Sequence, residues 1–69
     1  MLVLERLMRR EGWSRAKLAR RAEMNQVTVG AIINGRIKPY PVQLEKLASA
    51  LGWPVADAQA LMAEVDESE

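Results

Sequence analysis

The residues of this chain best equipped for chemistry lie between positions 25 and 38, and the chemistry they suit is recognition. The carboxamide of Gln26 offers the paired donor and acceptor that match N6 and N7 of adenine, and the methyl of Ala31 suits the methyl of thymine. Arg36 and Lys38 lie at its end, and Arg15, Arg20 and Arg21 precede it, so cations suited to a phosphate backbone flank the stretch. No reaction is suggested with comparable order. The carboxylates are scattered, no nucleophile stands beside a base, and the four glycines sit at expected helix boundaries or within the stretch itself. An enzyme is not expected.

Two short helices joined by a tight turn must hold these side chains in place. Ser14 and Asn25 can each offer a side-chain oxygen to backbone N–H groups that lack a helical partner. An apolar residue precedes each cap at stapling distance, Trp13 to Leu18 and Met24 to Val29, and Gly35 suits the left-handed closure of the second helix. The first helix should span about 14–22 with Leu18, Ala19 and Ala22 inward. The second should span about 26–34 with Val29, Ile32 and Ile33 buried.

The rest of the chain reads as scaffold. A helix over about 2–11 has Leu4, Leu7 and Met8 on one face and ends at Gly12. After the loop RIKPYP, Pro41 suits the first turn of a helix with Leu44, Leu47, Ala48 and Leu51 inward, ended by Gly52. Pro54 then opens a fifth helix, whose residues Val55, Ala58, Leu61, Met62 and Val65 fall on one helical stripe with Asp57 near its N-terminus. Trp13, Trp53 and Tyr40 read as packing residues. No stretch alternates with period two, so the expected fold is all-α: a compact five-helix domain over 1–65, with a frayed acidic tail at 66–69.

Size and composition narrow the function further. A chain of 69 residues forms one small domain with no room for a deep cleft. It contains no cysteine and no histidine, which removes disulfides, thiolate zinc sites and the commonest metal ligand, so neither cofactor nor metal is expected. Glu5 interrupts the apolar MLVLERLM segment too early for a signal core or a membrane span, and a cytoplasmic setting is expected. The net charge of +1 conceals a sorting along the chain. Residues 1–38 carry nine Lys/Arg against three acids, while residues 39–69 carry one lysine against six acids. The basic half can attract a polyanion while the acidic half is held away from it.

Counted from Arg15, the small and apolar positions of a helix-turn-helix fall on Leu18, Ala19, Ala22, Met24, Val29 and Ile32 without insertion, with Ala19 small where the two helices cross. On these residues the chain resembles the lambda-repressor-like (Cro/Xre) family of DNA-binding domains over about residues 2–62, including LASALG of the fourth helix. The segment MNQVTVGAIING is similar to the lambda-repressor branch through Met24, Gln26, Val29, Gly30, Ala31, Asn34 and Gly35. The resemblance implies a motif at about 15–34 whose second helix enters the major groove of double-stranded DNA. Gln26 and Ala31 would then contact bases, Asn34 would hold a phosphate, and Gly30 would let the helix backbone approach. Val27, Thr28 and Gly30 complete the candidate base contacts; Arg15, Asn25, Arg20, Arg21, Arg36 and Lys38 join Asn34 as candidate phosphate contacts.

Three residues depart from the family's pattern. Arg15 stands where glutamine is usual, keeping a phosphate contact without the same brace to the recognition helix. Glu23 replaces the glycine of the turn, which implies left-handed strain of roughly 1 kcal/mol. Val27 replaces a polar reader and leaves only apolar contact there. The resemblance also implies a homodimer, with Val55, Ala58, Leu61, Met62 and Val65 as its candidate surface. The expected role is a sequence-specific transcriptional repressor acting by operator occupancy. Its rivals are an antitoxin that also docks a toxin, and a helical module that binds a protein partner and has lost DNA binding.

Overall fold

Four α-helices and a terminal 3-10 helix follow one another along the residues that the computed structural model describes, 1–66; residues 67–69 of the expected tail lie outside the described residues. The helices are α1 (Val3–Glu11), α2 (Arg15–Ala22), α3 (Gln26–Ile33) and α4 (Pro41–Leu51), and the 3-10 helix is Val55–Met62. The class is all-α, with five helices, in the order that the periodicity implied.

Both caps of the central pair form. Ser14 Oγ accepts from the Lys17 N–H at 3.1 Å, and Asn25 Oδ1 accepts from the Val27 N–H at 2.8 Å. At the other end of α3, Gly35 takes φ +76°, with its N–H donating to the Ile32 carbonyl and that of Arg36 to the Ala31 carbonyl. This is the Schellman closure, and α2 ends the same way: the Glu23 N–H donates to Arg20 and the Met24 N–H to Ala19. Met24 therefore acts twice, as the residue that locks the end of α2 and as the apolar brace before the cap of α3. It packs on the core, as does Trp13 in the corresponding place between α1 and α2.

Each helix contributes to one core. Leu4, Leu18, Val29, Ile32, Leu47 and Leu61 are fully inaccessible to solvent, and Ala19 and Ala48 are buried beside them. Burial of an aliphatic side chain of this size contributes about 1.5–3 kcal/mol. α4 packs against α2 and the 3-10 helix, and α2 packs against α3, so the pair carrying the candidate site rests on a scaffold that leaves the far side of α3 open.

The fifth element corrects the sequence reading. Asp57 sits at φ −108°, ψ 23°, outside helical values, and the segment is 3-10 instead of one continuous α-helix. The indole N–H of Trp53 donates to the Asp57 carbonyl at 2.9 Å, engaging an oxygen that an α-helix would use for its own ladder. The stripe is divided as a result. Ala58 and Leu61 are buried in the core of the single chain, Val55 is exposed, Met62 is half-buried, and Val65 lies beyond the helix. Val65 instead donates its N–H to the Met1 carbonyl, while the Val3 N–H donates to Ala63. The two ends of the described chain thus meet in an isolated antiparallel bridge between Leu2 and Glu64. Ala58 and Leu61 are therefore unavailable as a dimer surface without opening the core.

Candidate nucleic-acid interface

The buried residues of α3 are Val29, Ile32 and Ile33. At the helical angle per residue, that stripe leaves Val27, Gly30, Ala31 and Asn34 on the opposite face, with Gln26 beside them. Gln26, Val27 and Asn34 are exposed, whereas Thr28, Gly30 and Ala31 are half-buried. Val27 stands out as 80% exposed, the largest value among the exposed large apolar residues. A Cβ added to Gly30 would meet no atom within 4 Å, so nothing inside this chain requires the missing side chain.

The residues expected to hold phosphate divide into separate groups. Arg15, at the start of α2, donates from its guanidinium to Asn34 Oδ1 at 3.3 Å, which ties the first helix of the motif to the end of the second. This is a brace that the sequence reading lacked; it reaches the C-terminal end of α3. Asn25 accepts through its side-chain oxygen as the α3 cap. Arg20, Arg36 and Lys38 are exposed; Arg36 and Lys38 border a shallow groove with Ile37, Leu44 and Met62. Lys17 Nζ and Arg21 Cζ lie 5.4 and 5.7 Å from the centre of the Trp13 ring, so one aromatic ring steadies two cations of α2. Lys17 was not among the sequence-derived contacts, although its spacing of four from Trp13 and Arg21 offered a signal.

The turn between the two helices carries the expected strain. Glu23 has φ +56°, ψ 45°, and it is the one non-glycine residue among those described with positive φ. An exposed side chain there faces solvent, so the cost is confined to the backbone.

An outward helix, a capped and braced partner helix and a strained tight turn together define a helix-turn-helix protein. The model of a family described as "Helix-turn-helix domain" matches residues 2–61. The chain belongs to that family of DNA-binding domains. No curated protein and no solved structure matches it. Among the described residues, no helix is long and apolar enough to cross a membrane.

Proposed function

We propose that this protein is a sequence-specific regulator of transcription of the lambda-repressor-like (Cro/Xre) branch, acting in the cytoplasm as a repressor that blocks its site by occupancy. α3 lies in the major groove, Gln26 and Ala31 read base edges, and Arg15, Asn34, Arg36 and Lys38 fix the register on phosphates. Occupancy requires neither chemistry nor a cofactor. The observation that carries the reading is Gly30. A glycine inside a helix costs about 1 kcal/mol relative to alanine, and this one has open space where its side chain would be. The benefit must then come from a surface outside the chain that approaches the α3 backbone closely.

The protein acts as a homodimer on a two-fold related site with half-sites about one helical turn apart. Exposed Val55 and half-exposed Met62 remain for pairing on the C-terminal side. Titration of duplex DNA across a salt series tests the reading. Binding that weakens linearly in log–log form with salt is expected, because each neutralised phosphate releases counterions. Gln26→Ala should cost about 1–3 kcal/mol on a preferred site and little on random sequence. Absence of duplex binding at low salt replaces this reading with a protein-interaction module.

A further inference from the structure

We propose that Val27 reads the C5-methyl group of a pyrimidine, thymine or 5-methylcytosine, within one base-pair step of the base that Gln26 contacts. The inference rests on the DNA-binding reading above and names the chemical feature that one position of the site must present.

Val27 is 80% exposed and does nothing for the fold that alanine would not do better. A β-branched side chain is a weaker helix former, and the buried stripe of α3 lies on the opposite side. Its location is nevertheless tightly set. The Asn25 side chain holds the Val27 N–H at 2.8 Å, which fixes this residue in the first turn, and β-branching favours a single rotamer there. The result is a stiff apolar branch on the outer face of the first turn of α3, next to Gln26 in the chain and on the side of the helix away from the buried stripe.

The floor of the major groove offers such a group few favourable surfaces. Purines and unmodified cytosine present donors and acceptors that lose water without gaining a partner when valine covers them. The C5-methyl is the apolar exception. Consecutive Cα atoms lie about 3.8 Å apart, close to the roughly 3.4 Å between base pairs, so Gln26 and Val27 address the same or neighbouring steps.

The test begins with half-sites selected by the intact protein from random duplexes, with each thymine then replaced singly by deoxyuridine, which removes only the methyl. At one thymine, beside the pair sensitive to Gln26→Ala, the loss should be roughly four-fold, equivalent to about 0.8 kcal/mol for one buried carbon group. Val27→Ala should bind the two duplexes equally. Cytosine at that position should bind as weakly as deoxyuridine, and 5-methylcytosine should restore affinity. A parallel selection from a pool containing 5-methylcytosine assigns the source, by enrichment of either methylated base at that position. Indifference to every deoxyuridine, or an equal loss in Val27→Ala, overturns the proposal while salt-dependent duplex binding leaves the wider reading standing. Failure to bind any duplex removes both.

Discussion

Arg15 and Asn34 share a hydrogen bond of 3.3 Å across the helix-turn-helix, from the first residue of α2 to the residue that follows α3. Both side chains are exposed, and in the proposed complex the guanidinium and the asparagine amide would grip one phosphate together. The bond holds the pair together before DNA arrives. Asn34→Asp tests this arrangement, because a carboxylate keeps Arg15 as a partner but repels phosphate. The variant should unfold at nearly the same temperature yet lose about ten-fold or more in duplex affinity. Arg15→Ala should lower the slope of log affinity against log salt by about 0.9, the share of one phosphate contact. An unchanged slope would remove Arg15 from the interface.

Glu23 holds a left-handed conformation at φ +56° where glycine would carry no side-chain penalty. The penalty is about 1–2 kcal/mol, partly offset because glycine loses more freedom on folding. Glu23→Gly should therefore stabilise the domain by about 0.5–1 kcal/mol, with a melting point raised by roughly 4–8 °C per kcal/mol gained. Calorimetry checks it, and a lower melting point would show that the turn gains something specific from Glu23.

The motif was legible because its signals are local. Ser14, Asn25 and Gly35 act on backbone groups a few residues away, and Trp13 and Met24 brace helices that begin beside them. The fifth helix was misread because the spacing of Val55, Ala58, Leu61 and Met62 fits an α-helix, while in the structure Asp57 leaves helical backbone angles and its carbonyl accepts the Trp53 indole N–H. No periodicity encodes a side chain folding back to a carbonyl. The terminal bridge between Leu2 and Glu64 escaped for a related reason: a single pairing has no period to detect. Trp53→Phe removes the indole N–H and should cost about 1 kcal/mol, with the circular dichroism of the helices retained.

Leu61 separates the two roles that the C-terminal stripe was given. Its side chain is fully inaccessible within one chain. Leu61→Ala should destabilise by about 2–5 kcal/mol in urea unfolding, equally at low and high protein concentration. A loss that shrinks as concentration rises would move Leu61 into a contact between copies.

Gly30 sets stability against binding. Alanine at this position meets no atom beyond the backbone of its own helix within 4 Å, so Gly30→Ala should raise stability by about 0.5–1 kcal/mol through helix propensity alone. In the proposed complex the same methyl would intrude where the α3 backbone meets the groove, and filling a close contact by one methyl costs about 1–3 kcal/mol. Duplex affinity should fall by that amount while the melting point rises, two changes of opposite sign from one substitution. A protein that becomes more stable and binds DNA equally well would mean that α3 docks at a greater distance. Base reading would then depend on the longer side chains of Gln26 and Val27 alone.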